Sequence, residues 1–387
     1  MNAIANFYTI FWMIYFPTCI AYNDLPGFGY VDEYMTVILM TFTILVQGWK
    51  GVNRRPWKEY LFFLGVLAFY IIYSLIMAVN VSEAVWLDLV QQIRPYSVLY
   101  CTWILCPHFS KIQKKLMLFV MIVTLISWII YHPETTGFEA EFPVLGQLAI
   151  CTGMAYYLFT DNNKENRWIA LAIVCTGLLA PKMKFVGEVV CFVALLFFIT
   201  KKFNMKSPKT IITLTAIMAL CIAFTWTRFD AYYVSGWDNE ELARPMTYKT
   251  SLQIMQDYIP FGSGMGTFGC NASWKYYSPL YYEYELNGIW GLGEGGGFIA
   301  DAFYPVVIAQ FGIVGVILFL WFWKRRLKEF NQIADMKYYR VALMAFFCLA
   351  IESTADTSYL SGKGMGYFML IAICLNANRL RVKELRR

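Results

Sequence analysis

Charge is the scarcest ingredient of this chain. Asp, Glu, Lys and Arg make up 15% of its 387 residues, where a soluble globular chain carries about a quarter. That shortage excludes an ordinary water-soluble fold. Histidine is scarcer still: His108 sits at one end of an apolar run, and His132 stands just before Pro133. Paired cysteines are missing as well. Ten Cys occur, but no Cys-x-x-Cys, and all except Cys270 lie inside apolar runs, where they behave as small hydrophobes. Neither a disulfide framework nor a thiolate metal site is indicated. The N-terminus lacks a basic leader and a small-residue cleavage site, so residues 1–22 read as a retained span. Low-complexity linkers and a separate soluble domain are also absent.

What fills the space is apolar and aromatic. Hydrophobic residues reach 59% and Phe, Trp and Tyr 18%, with a mean hydropathy of +0.49. They come in blocks of roughly 17–25 residues, the length that crosses about 30 Å of hydrocarbon as a helix. The blocks predict spans at 4–22, 33–49, 60–79, 84–106, 114–131, 143–160, 167–180, 184–200, 210–227, 299–323, 339–356 and 364–378. The expected fold is an all-α polytopic integral membrane protein of about twelve transmembrane helices. It forms a single membrane domain over 1–387, with one large outer loop at 228–298.

Charge placement tests that map. With alternating connections and a cytoplasmic N-terminus, 24 of the 32 Lys and Arg fall on the inner side, as the positive-inside rule asks. Outer connections are acidic: Asp24, Asp32 and Glu33, then Glu134, Glu139 and Glu141, then the long loop. An even number of spans and two cytoplasmic termini follow. Eight basic residues remain: Arg94, Lys182, Lys184, Arg228, Arg244, Lys249, Lys275 and Lys363.

Charges inside membrane helices cost roughly 2.5–3.5 kcal/mol each at mid-helix, so these eight carry information. Arg94 lies within the fourth span, Lys182 and Lys184 follow Pro181 at the outer start of the eighth, and Arg244 sits in the long loop. Facing one external cavity, they would suit a lipid-linked diphosphate, whose oxygens accept charge-assisted hydrogen bonds. Other roles are open to each. Arg94 has Asp88 within six residues, though on a different helix face. Lys182 and Lys184 also fit snorkelling to the interface. Arg228 suits a span-end anchor, while Lys249 and Lys275 suit solvent.

Three features mark the long loop and the span after it. Ala243-Arg244-Pro245-Met246-Thr247-Tyr248 opens a helical stretch reaching Tyr258. Pro260-Phe261-Gly262-Ser263-Gly264-Met265-Gly266-Thr267-Phe268 comes next. Asp301-Ala302-Phe303-Tyr304 then leads to Gly312-Ile313-Val314-Gly315 in the tenth span. The three glycines read as a tight turn ending the Arg244 helix, or as a phosphate cradle; no βαβ unit surrounds them, which excludes a dinucleotide fold. The 288–297 segment reads as a flexible lid.

In order and spacing, these features resemble the O-antigen polymerase and O-antigen ligase superfamily of bacterial polysaccharide enzymes. Arg244, Tyr248 and the 260–268 run follow that family's pattern. Ligases then show His-Asn-x-Tyr before Gly-Ile-x-Gly; Asp301 stands at the histidine place here and Tyr304 at the tyrosine place. Lys182 or Lys184 looks like the family's basic residue at the start of an earlier span. The resemblance covers about residues 180–320 by motif and the rest by topology. Asp in place of His is more like the polymerases.

The resemblance implies a glycosyltransferase of the cytoplasmic (inner) membrane, a polymerase joining polyprenyl-diphosphate-linked oligosaccharide units into surface polysaccharide. Transfer would be inverting and need neither metal nor cofactor. Asp301 would be the base, with Glu294 in reserve. Arg244, Lys182 or Lys184, and Arg94 would hold the diphosphate, and Tyr248 and Tyr304 would stack on sugars. Its partners would be the lipid-linked oligosaccharide, membrane lipid and a chain-length regulator, with no nucleic acid. Against the base stands a simpler role for Asp301, as N-cap of the tenth span. Two alternatives to the polymerase remain: a ligase moving lipid-linked glycan to another acceptor, and a non-enzymatic lipid or glycan transporter. The latter fits poorly with few midplane charges and no internal repeat.

Overall fold

A helix stands at each of the twelve apolar segments. The computed structural model describes residues 3–24, 28–50, 54–131, 144–180, 182–204 and 207–378, and no strand occurs among them. Among the described residues, nine helices precede the long connection: α1 (Ala3–Asp24), α2 (Val31–Lys50), α3 (Arg54–Met77), α4 (Ser82–Leu105), α5 (Lys111–Tyr131), α6 (Val144–Phe159), α7 (Lys164–Cys175), α8 (Met183–Val193) and α9 (Pro208–Phe224). Short α10 (Trp226–Phe229), long α11 (Ala243–Asp257) and short α12 (Asn271–Lys275) and α13 (Leu280–Glu283) lie within it. Then come α14 (Tyr304–Phe330), α15 (Met336–Glu352) and α16 (Met365–Leu375).

Three of these are long and apolar enough to cross a membrane: α3 from Arg55, α5 and α14. The α9 segment qualifies only together with Trp226–Val234, from which it is bent by 84°. Arg228 therefore lies beyond the bend and exposed, rather than closing a straight span. Polar signals set several helix starts: the Asn163 side chain accepts the Asn166 N–H at α7, Asp335 that of Lys337 at α15, and Pro208 opens α9.

The burial pattern is that of a bundle wetted by an apolar solvent. α4, α6 and α16 are buried almost all round. α3, α5 and α9 turn Phe62, Ile72, Ile76, Ile112, Phe119, Ile212 and Phe224 outward, each more than half exposed. In water, apolar faces of that extent would drive association; against lipid they cost nothing.

The long connection is a folded cap. Ile254, Phe268, Leu280, Tyr281, Leu286, Leu292 and Ile299 form a small core that reaches Ala309 of α14. The glycine-rich 288–297 segment is pinned to it: Leu292 is buried, and its carbonyl accepts the Tyr277 hydroxyl at 3.0 Å. It is not an open lid. Cys270, the one cysteine outside the apolar runs, is buried as the N-cap of α12, where its sulfur accepts the Ser273 N–H. The expectations placed on His132, Glu134, Glu139, Glu141, Pro181, Lys206 and residues 379–387 lie outside the described residues.

Candidate functional site

Two helices frame the site. α11 and α14 pack side by side in the same sense, and they are fastened just beyond the end of α11 by glycines. α14 is broken at Gly312, with φ 58° and ψ −158°, a conformation essentially confined to glycine. The break frees carbonyls that the 260–264 loop then satisfies: Ser263 N–H donates to Ala309 at 2.9 Å and Gly264 N–H to Gln310 at 3.0 Å. Val314 N–H returns a bond to the Pro260 carbonyl at 3.2 Å. A Cβ on Gly262 would sit 2.5 Å from the Gly312 nitrogen, and one on Gly312 would sit 2.4 Å from the Gly262 nitrogen. The backbones meet because neither residue has a side chain.

The five N–H groups of 262–266 all donate within the protein. Gly262 donates to Tyr258, Met265 to the Ser74 hydroxyl, and Gly266 to both Asp88 and Gln310. The run 262–266 is a structural turn rather than a cradle.

Arg244 and Asp301 meet at the other end of the α11–α14 pair. Nε of Arg244 donates to Oδ2 of Asp301 at 3.1 Å, and Nη2 donates to the same oxygen. The two side chains are 16% and 31% exposed, so the pair stands at a mouth and not in bulk water. The guanidinium also lies over the Tyr232 ring, 4.4 Å from its centroid. Burial pushes the Asp301 carboxyl above its ordinary range, and the Arg244 charge pulls it only partly back. Asp301 does not cap α14. The helix begins at Tyr304 with Phe303 as its cap residue, and no side chain closes it.

A turn after α15, residues 353–364, closes the site from the far side. Its Ser353 carbonyl accepts Phe303 N–H at 3.0 Å. Its Thr354 carbonyl accepts the hydroxyls of Tyr233 at 3.1 Å and Tyr248 at 3.4 Å. Asp356 takes the Lys184 ammonium at 2.8 Å and Lys363 at 3.8 Å. Burial alone would raise the Asp356 carboxyl, but Lys184 and Lys363 override it and hold it well below the usual carboxylate range. Lys184 also reaches Glu352 at 2.8 Å. Glu352 is fully buried at the end of α15 and accepts Gln147 and Ser358 besides. One turn along α8, Glu188 is fully buried, and neither of its oxygens has a donor among the described residues. Lys184 and Asp356 both bear electrostatically on the Asp301 carboxyl, after burial and Arg244.

Arg244, Asp301, Lys184, Tyr248 and Tyr304 thus gather around one turn. Tyr304 donates to the Ala350 carbonyl at 2.9 Å, and burial and Tyr233 push the Tyr248 phenol up, which keeps it protonated. Lys182 is half-buried before α8 and has no ion-pair partner among the described residues. Arg94 is elsewhere. Only 3% exposed in the middle of α4, it is clamped by Asp32 at 2.7 Å and Glu33 at 2.5 Å from α2, and donates to the Leu360 carbonyl. A buried cation needs such partners, and Asp88, the candidate partner on its own helix, is engaged with Gly266 instead. Arg94 is a structural tie between α2, α4 and the 353–364 turn. Glu294 is exposed on the cap and forms none of the contacts of the cluster.

The residues that sequence reading passed over are acidic: Glu188, Glu352 and Asp356. Glu188 and Glu352 interrupt otherwise apolar helices, and that interruption was their signal. No protein-family model and no curated protein matches the chain.

Proposed function

We propose that this chain spans the membrane twelve times and transfers glycan between polyprenyl-diphosphate carriers, as a polysaccharide repeat-unit polymerase. The observation that carries the reading is the Arg244–Asp301 pair. Two residues picked out by motif spacing, 57 positions apart, are joined at one mouth, and the 353–364 turn that closes it also holds Lys184. A carboxyl raised by burial and oriented by a guanidinium is suited to take a proton from a sugar hydroxyl. In the proposed step the acceptor oxygen bonds to the anomeric carbon as the bond from that carbon to the diphosphate oxygen breaks. The hydroxyl proton passes to Asp301, and the diphosphate leaves with the bonding pair.

Arg244 keeps its Nη1 amine without a protein partner among the described residues. Together with Lys182 and Lys184, it is placed to offset the departing charge. The half-buried rings of Tyr232, Tyr248 and Tyr304 offer flat faces to sugars. The outer side of a cytoplasmic membrane, with both termini inside, is the orientation that the Lys and Arg distribution favours.

One observation favours a second reading. Lys184 between the buried Glu352 and Asp356, with Glu188 near it, is the charge arrangement of an ion-coupled carrier. Deleting the gene and resolving surface glycan by size separates the readings. Loss of long chains with single units retained supports a polymerase. Long chains left unattached point to a ligase, and lipid-linked units trapped inside point to a carrier. Complementation with Arg244→Ala should fail to restore long chains although the protein inserts and accumulates. Arg244→Lys should restore them partly, since it keeps the charge and loses the fork. Full restoration by Arg244→Ala would sink the assignment.

A further inference from the structure

A well-formed cavity lies away from the Arg244–Asp301 mouth. It measures about 670 Å³ and lies between α3, α4 and α14. Its walls are apolar and aromatic, from Val307 and Phe311 to Phe319 and Phe322 on α14, facing Phe63 and Val66 on α3. Tyr70 and Phe311 touch edge to face at 4.9 Å, and Phe62 and Trp321 do so at 5.8 Å. Phe62 is 53% and Trp321 44% exposed, so the cavity opens sideways, toward the surface that faces lipid.

Its two ends differ. Phe303, Val307 and Gln92 bound one end without a charge, whereas Arg55, Lys58, Glu59 and Arg325 bound the other. Glu59 holds Arg325 at 2.6 Å and also Arg326, while Glu329 holds Arg55 and Arg326. Three cations thus meet two carboxylates, and with Lys58 the surplus is two positive charges. Arg55 is 54% and Arg325 34% exposed. Lys58 is exposed, with no ion-pair partner among the described residues.

Dimensions narrow the occupant. α3, unbroken along the cavity, rises roughly 22 Å from Arg55 to Tyr70. Spread over that length, the volume averages about 30 Å² in section, room for one extended hydrocarbon chain. We infer that this cavity is a binding site for an anionic phospholipid. One acyl chain lies between α3 and α14, and the phosphate is held by Arg55, Lys58 and Arg325. The charge-free far end argues against the opposite polarity, with the phosphate of a prenyl carrier near Phe303. The inference rests on the chain lying in a bilayer, not on the glycosyl-transfer reading, and basic residues near the surface select anionic lipid.

Trp321 reports on the site from within. The purified protein is reconstituted in phosphatidylcholine vesicles and titrated with a brominated-acyl phosphatidylglycerol or brominated phosphatidylcholine. The Trp321 signal is isolated by difference with Trp321→Phe. Phosphatidylglycerol should quench it at about tenfold lower mole fraction than phosphatidylcholine. Lys58→Gln, a change at an exposed side chain that leaves the ion pairs intact, should cut that preference several-fold. Val66→Phe, which narrows the cavity, should reduce quenching by both lipids. Equal quenching by the two lipids in the unaltered protein would overturn the inference. So would a preference that survives both Lys58→Gln and Arg325→Gln, or quenching relieved by a polyprenyl phosphate equally in the presence and absence of Lys58.

Discussion

Replacing Gly312 with alanine tests the lock on which the site geometry depends. The added Cβ would sit 2.4 Å from the Gly262 nitrogen and 2.7 Å from the Pro260 carbonyl, so the loop and α14 must part. Holding alanine at this φ and ψ costs about 1–3 kcal/mol. Parting the backbones also strips the Ser263–Ala309, Gly264–Gln310 and Val314–Pro260 hydrogen bonds, each worth about 1 kcal/mol net. The total is roughly 4–6 kcal/mol, which for a chain of 387 residues corresponds to a fall of about 5–7 °C in the melting temperature. The assay is tryptophan fluorescence on heating the detergent-solubilised protein, with Gly65→Ala as control, since a Cβ at Gly65 meets nothing within 4 Å. α11 carries Arg244 and α14 is led by Asp301. A shift of about 1 Å between them is enough to cost about a hundredfold in transfer. If Gly312→Ala melts together with Gly65→Ala, the backbone contact is not what holds the two helices in register.

The remaining tests address chemistry and topology. Asp301→Asn should lower chain extension by on the order of 10²–10⁴, because Asn keeps the shape and loses the proton acceptor; unchanged extension would remove Asp301 from the reaction. The rate should rise with pH as the Asp301 carboxyl ionises, with its inflection above the ordinary carboxylate range. Arg244→Gln removes the charge that pulls the group back and should move the inflection higher in whatever activity remains; a downward move would refute the electrostatics. Lys184→Ala leaves the buried Glu352 without its cation and Asp356 with Lys363 alone, at 3.8 Å, and should cost about 3–5 kcal/mol in stability. Adding Glu352→Gln should recover part of that, and no recovery would mean the pair is not coupled. Reporter fusions after Lys209 and Arg387 should read cytoplasmic and one near Asn271 external; an external reading at Arg387 would break the twelve-span map.

Helices were legible from sequence because an apolar run of span length admits almost no other structure. The α11–α14 frame was legible in part: residues 243–248 opened a helical stretch, and the resemblance put Asp301 at the histidine place ahead of Gly312. What escaped was partnership across the chain. Local spacing offers Arg94 only Asp88 on its own helix, while its actual partners come from α2, 61 and 62 residues earlier. The glycine run looked able to cradle phosphate because its acceptors, on α3, α4 and α14, cannot be seen from the loop alone. Attention to cations in apolar helices passed over Glu188 and Glu352, to which the same argument applies. Glu352 and Asp356 turn Lys184 from a free cation into an ion-paired one.

Compensation changes how the proposed transfer would run. Bare cations beneath a membrane surface would be costly to hold, and here Asp301 and Asp356 keep Arg244 and Lys184 in place at rest. In the proposed step the acceptor proton passes to Asp301, and a neutral acid no longer holds Arg244 by charge. That release coincides with the charge growing on the departing diphosphate, toward which the guanidinium, with its planar set of donors, can then turn. One proton transfer would activate the acceptor and supply the cation to the leaving group together. Asp301→Asn separates the two effects: it frees Arg244 from a charged partner and removes the base. Tighter diphosphate binding combined with slower transfer is the signature this coupling requires. Weaker binding in the Asn form would mean that Asp301 only positions Arg244.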